Sequence, residues 1–241
     1  MQHPIIAALV RLSFVAFSCP AFAASLQISP VSLEIPAPGA AATVSLRNES
    51  VKPLSAQVRV FRWTQVNGEE KLEPTNDVVS SPPVVLLAPR ANYALRVVRT
   101  LKTPVTVPEA YRLLIDELPD PSQQKTGAVT LVLRYSVPVF FDSADISTPK
   151  IDWSVEKRGS RIVVIARNSG ERHLRIAAMK LRDSNGTIVS FGAGLTGYVL
   201  ARSTMQWTAA GRSSGFNPGG SAVITALSDL GPIDATAPVK K

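Results

Sequence analysis

The stretch GAVTLVLRYSVPVFF, Gly127 to Phe141, decides how the chain is read. In an extended strand its side chains separate at period two. Val129, Leu131, Leu133, Tyr135, Val137 and Val139 share one face, which is almost wholly apolar. Thr130, Val132, Arg134, Ser136, Pro138 and Phe140 share the other, which is mixed. The run is longer and more apolar than an ordinary strand, and a strand at a water-facing edge should carry one polar face. One face is therefore expected to serve the protein's own core and the other a partner.

The same alternation extends on both sides of this stretch. On the N-terminal side, strands are expected at residues 24–35, 42–47, 54–65, 78–87, 93–99 and 111–117. The first changes the parity of its apolar positions at Ser29-Pro30, where proline removes a ladder donor, so it is expected to pass from one sheet to another. Residues 66–77 read as a polar loop, and Trp63 as a core anchor. With the long strand this makes seven strands at the spacing of a sandwich. Residues 142–150, DSADISTPK, read as a hinge. Beyond it come short strand candidates at 151–155, 161–166, 174–181, 187–190, 197–200, 204–209 and 221–227, with Asn185-Gly186 as a hairpin turn. No window holds helical periodicity beyond two turns. The expected architecture is all-β, two consecutive sandwiches at 24–143 and 144–235, with a frayed tail at 236–241.

The chain has 241 residues, 45% hydrophobic and 18% charged, enough for two real cores. At the N-terminus Arg11 precedes the apolar run Leu12 to Phe17, and Ala21-Phe22-Ala23 is a small-x-small cleavage site, so residues 1–23 read as a removable export signal. The apolar run is shorter than the roughly 20 residues that a spanning helix needs. No integral membrane segment is expected after its removal. Cys19, the one cysteine, leaves with the signal, so the core must stand without disulfides. The formal charge of +8 falls by one with Arg11. The basic residues are scattered, and export argues against a nucleic-acid partner.

Catalytic chemistry is not apparent. His173 would be the single histidine after signal removal, and it lies between Arg172 and Arg175, where a surface position is expected rather than a metal or a catalytic triad. Asp116 and Glu117 are adjacent in a strand and face opposite ways. Gly192-Ala-Gly194 lacks the strand–turn–helix setting of a phosphate cradle. No enzyme and no cofactor are expected. Two strand arginines, Arg112 and Arg134, stand among apolar neighbours, so they either snorkel to water or meet an anion. Guanidinium forks match carboxylate oxygens, and both could form a carboxylate clamp. A stand-alone secreted β-sandwich, binding a ligand or acting in adhesion, would also explain export and fold, but not the two-faced apolar strand.

VRVFRWTQ (58–65), SSPPVV (80–85), YRLLIDELP (111–119) and RYSVPVFF (134–141) resemble the periplasmic chaperones of the chaperone–usher pilus pathway, the PapD-like superfamily. IDWSV (151–155), ARNSGERHLRIAAMKL (166–181) and GYVLARST (197–204) resemble the second domain of the archaic branch that serves Csu-type pili. The resemblance implies two immunoglobulin-like domains in an L shape, a periplasmic location, and pilin subunits and an outer-membrane usher as partners. It also implies donor-strand complementation, in which the chaperone lends its own strand to an incomplete pilin sandwich. Val129, Leu131 and Leu133 would then be the donated residues. The classical anchoring residues of the first and last strands do not carry over, since Val31 and Val137-Pro138 stand there. The resemblance to the archaic branch moves the anchor for the subunit's terminal carboxylate to Arg112, with Arg134 as its helper on our own reading.

Overall fold

The computed structural model describes residues 26–119, 132–144, 147–211, 215–217 and 219–240. The export signal, Val129 and Leu131 lie outside them. No helix occurs among the described residues.

Ten strands build the first unit. β1 (Leu26–Ser29), β3 (Ala41–Asn48), β8 (Asn92–Arg99) and β6 (Val78–Ser81) form one sheet in the order β1-β3-β8-β6. β2 (Leu33–Pro36), β10 (Arg134–Asp142), β9 (Glu109–Leu118), β4 (Leu54–Val66) and β5 (Glu69–Pro74) form the second in that order, and β7 (Val84–Leu87) also pairs with β4. The first segment does cross from one sheet to the other between Ser29 and Leu33. Val44, Leu46, Val58, Leu95, Leu113, Ile115, Val137, Val139 and Phe141 interlock between the sheets. Trp63 is not among them.

The polar loop expected at 66–77 is a strand instead. Val66 faces Glu69 across a two-residue turn of Asn67 and Gly68, both at positive φ, and β5 then pairs with β4 as far as Pro74 opposite Phe61. Asn-Gly is the strongest short hairpin signal, because the tight turn needs two residues that tolerate left-handed backbone. The charged run Glu69-Glu70-Lys71 hid the strand, and a solvated edge strand carries such residues.

The second unit comprises β11 (Ile151–Arg158), β12 (Arg161–Asn168), β13 (Leu174–Arg182), β14 (Ile188–Ser190), β15 (Leu195–Val199), β16 (Thr204–Thr208), β17 (Ser221–Ser228) and β18 (Gly231–Lys240). β18 replaces the tail expected at 236–241. It pairs antiparallel with β17 from Gly231 to Pro238 and parallel with β11 at Val239 and Lys240, joining both halves of the sandwich. Ile233, Ala235, Ala237 and Val239 alternate with polar or proline positions, and Ala237 is fully buried. Small apolar side chains carry that alternation weakly, so the strand read as a tail.

Asn48 and Asn168 close equivalent corners of the two units. Each is buried and donates from Nδ2 to the carbonyl four residues on, Lys52 and Arg172 respectively. Asn168 Nδ2 also donates to Leu200 O, and its Oδ1 accepts from Lys150 N and Gly170 N, so it fastens the interdomain linker to the second unit. Glycine is required at 170, since a Cβ there would lie 2.4 Å from Thr148 O. Asn168→Ala strands four backbone partners and is expected to cost about 3 kcal/mol, lowering the Tm by roughly 10 °C in differential scanning calorimetry.

Candidate functional site

β10 lies at the centre of the site because its two faces and its two edges do different things. On one face, Val137, Val139 and Phe141 enter the first core. On the other, Arg134 and Ser136 are exposed, while Pro138 and Phe140 are buried. Phe140 joins Trp63 of β4 and Tyr198 and Leu200 of the second unit in a separate apolar cluster at the junction of the two units. Trp63, expected in the core, instead anchors this junction, with Tyr198 edge-on at 5.5 Å and Phe140 tilted at 5.9 Å. Part of the second face is thus spent within the molecule.

One edge of β10 pairs with β9 over its full length, from Arg134 opposite Asp116 to Phe141 opposite Glu109. The ladder continues one step further, where Glu117 N donates to Leu133 O at 2.9 Å. The other edge meets β2 from Val139 to Asp142 and no other strand among the described residues. Residues 134–138 therefore present an open edge. Leu133 is half-buried yet stands apart from the apolar residues packed on the first core, and Val132 is exposed.

The junction is held by polar groups as well. Gln65 imitates a strand partner: its Nε2 donates to Tyr198 O and its Oε1 accepts from Leu200 N. Gln206 N donates to Gly68 O, and Arg172 Nη2 reaches Glu34 Oε2 at 3.0 Å. His173, expected at the surface, is 4% exposed and stacks on Phe140 at 3.5 Å. Its flanking arginines suggested solvent, but His173 precedes β13 and is buried together with Leu174, while Arg175 is exposed. Burial pulls its pKa down to about 4.

Arg112 sits in β9 opposite Pro138 and Phe61. Its guanidinium lies 3.6 Å from the centre of the Trp63 ring and 5.3 Å from that of Tyr198. Among the described residues its sole hydrogen bond is from Nη2 to Glu70 Oε1, at 3.3 Å. The residue is 8% exposed, and one of the five N–H donors of its guanidinium meets a described acceptor. Burial lowers its pKa, with Glu70 opposing. Gly68, Glu69, Thr196, Gly197 and Trp207 complete a groove around it.

Arg134 is on the same face but not at the same place. Asp116 opposite Arg134 and Pro138 opposite Arg112 set the two arginines four rungs apart, about 13 Å along the strand. Arg134 is exposed and bonds Asp116, which Arg59 Nη2 also meets at 2.6 Å. Against burial, which pushes it up, these two arginines hold Asp116 below its ordinary value. The structure does not bring Arg112 and Arg134 into one clamp.

A second buried pair braces the far end of β9. Arg99 donates from Nε and Nη2 to both oxygens of Glu109, and Tyr111 Oη donates to Glu109 Oε2. Burial raises the Glu109 pKa, but these bonds outweigh it and the net value lies below 4.5. Stability from Glu109 is therefore complete above about pH 4.5 and is lost as pH falls through the depressed value. Glu109→Gln is expected to flatten this acid limb of a urea-stability-against-pH curve and to lower stability at pH 7.

The profile of the pili and flagellar-assembly chaperones, PapD N-terminal domain, matches residues 25–146, just over half of the chain. The chain belongs to this family. No curated protein matches. Among solved structures, this chaperone is similar to a chain of the CsuC–CsuE chaperone–tip adhesion subunit complex from archaic Csu pili of Acinetobacter baumannii, with 24% identity, TM-score 0.66 and coverage of 88% and 97% of the two chains. The Pseudomonas aeruginosa CupB2 chaperone gives 18% identity, TM-score 0.57 and coverage of 88% and 100%. A chain of the Salmonella enterica SafA pilin–SafB chaperone complex gives 18% identity, TM-score 0.59 and coverage of 88% and 95%. The coverage extends the shared fold over both units of the chaperone.

Proposed function

We propose that this chaperone holds pilin subunits in the periplasm by donor-strand complementation and hands them to an outer-membrane usher. The observation that carries this reading is the open edge of β10 at residues 134–138, preceded by Val132 and Leu133, which the protein's own core does not use. An extended segment of a partner gains main-chain bonds along such an edge and fills its groove with alternate side chains. Leu133 and, at the same parity of the sequence, Leu131 and Val129 are the donated residues.

Arg112 is the anchor for the subunit's terminal carboxylate. From Pro138, beside Arg112, to Val129 is nine residues, about 30 Å when extended along a subunit, so a terminus held at Arg112 fixes which donated residue meets which pocket. Glu70 occupies Arg112 in the free protein, and its partly exposed side chain can swing to water when a subunit arrives. Arg134 with Asp116 stays a flanking ion pair. Co-expression with a pilin encoded beside an usher tests the reading: a one-to-one complex is expected on size exclusion, and a pilin that folds and accumulates equally without this chaperone would refute it.

A further inference from the structure

Glu34 of β2, His173 before β13 and Asp229 in the β17–β18 turn come from three distant segments, and one donor atom of each lies within 4.8 Å of the others. His173 Nε2 faces Glu34 Oε1 at 3.8 Å, too far for a hydrogen bond. The residue is 96% buried, with Nε2 turned towards Glu34.

The surroundings orient the donors. Arg172 holds Glu34 by Oε2, which leaves Oε1 turned towards the imidazole. Arg175 N donates to Asp229 Oδ1. Such outer contacts fix ligands in metal sites. Asp142 adds a carboxylate beside Glu34, opposed by the Arg172 guanidinium. A dication would relieve that excess.

We propose that Glu34, His173 and Asp229 bind one zinc ion that fastens the β2 edge of the first domain to the second. One nitrogen and two carboxylate oxygens suit zinc, and a water would fill the fourth position. Tetrahedral ligands at zinc distances stand roughly 3.3 Å apart. Glu34 and Asp229 are exposed and need to move in by about 1 Å. The site contains no donated residue, so it acts on how the domains are joined and not on subunit contact.

The test uses the untagged chain without residues 1–23, stripped with EDTA and dialysed. This chain has one histidine and no cysteine, so imidazole ligation reports on His173 alone. Zinc chloride is expected to bind at one equivalent by calorimetry and to raise the Tm by about 5–10 °C at a hundredfold excess over Kd. Cobalt(II) should give visible d–d bands of a four- or five-coordinate site with histidine nitrogen. His173→Gln should abolish saturation, and Glu34→Gln, at an exposed position that tolerates the change, should weaken it at least tenfold. Absence of saturable zinc binding in the parent chain overturns the proposal, and so does saturation that survives unchanged in both variants.

Discussion

Leu133→Glu is expected to abolish recovery of a pilin–chaperone complex while the free chaperone stays folded. Leu133 is half-buried and takes no part in the first core, so a charge there reaches water in the free protein. Its carbonyl keeps the bond from Glu117 N, which a side-chain change does not touch. In the complex the same side chain fills an apolar pocket. Losing a buried leucine and desolvating a carboxylate together cost roughly 4 kcal/mol or more, about a thousandfold in affinity. Leu131→Glu should behave alike. Pull-down of tagged chaperone from periplasm that also expresses the pilin measures both. Pilin recovery at the parent level in either variant would remove donor-strand exchange from the account, whereas unfolding of the free chaperone by circular dichroism would show that Leu133 serves the protein's own core.

The period-two reading was sound wherever large apolar side chains alternate, as in β4, β8, β9 and β10. It failed where the alternation was carried by alanine or interrupted by charge. β18 alternates Ile233, Ala235, Ala237 and Val239, and β5 is almost all charged, though its Asn67-Gly68 turn was available as a signal. Burial at the junction was the harder loss. Trp63, Phe140 and His173 are brought together by three strands and loops from both units, and nothing local to any of them specifies that meeting. Arg112 and Arg134 were both legible as strand arginines. Their separation follows from the β9–β10 register, which a single strand's sequence does not contain.

Arg112→Ala is expected to weaken the pilin complex about a hundredfold while costing the free protein little. In the free state the guanidinium contributes a stack on Trp63 and one long bond to Glu70. A cation–π contact of this kind is worth about 1–2 kcal/mol, or roughly 2–8 °C in Tm for a chain of this size. Glu70, left behind, is exposed enough to be hydrated. In the complex the loss is larger, because a buried terminal carboxylate would have no partner, a cost of about 2–5 kcal/mol. Arg112→Lys should restore little, since a point charge neither forks to both carboxylate oxygens nor stacks on the indole. Glu70→Gln should act in the opposite direction. It removes the internal carboxylate that competes for Arg112, so pilin should bind more tightly and the complex should dissociate more slowly in competition with unlabelled chaperone. A subunit whose C-terminal carboxylate is blocked as an amide separates the two roles. With it, the parent and Arg112→Ala chaperones should bind equally weakly, and Glu70→Gln should bring no gain. Equal binding of free and amidated subunits to the parent chaperone would show that Arg112 anchors something other than a terminal carboxylate.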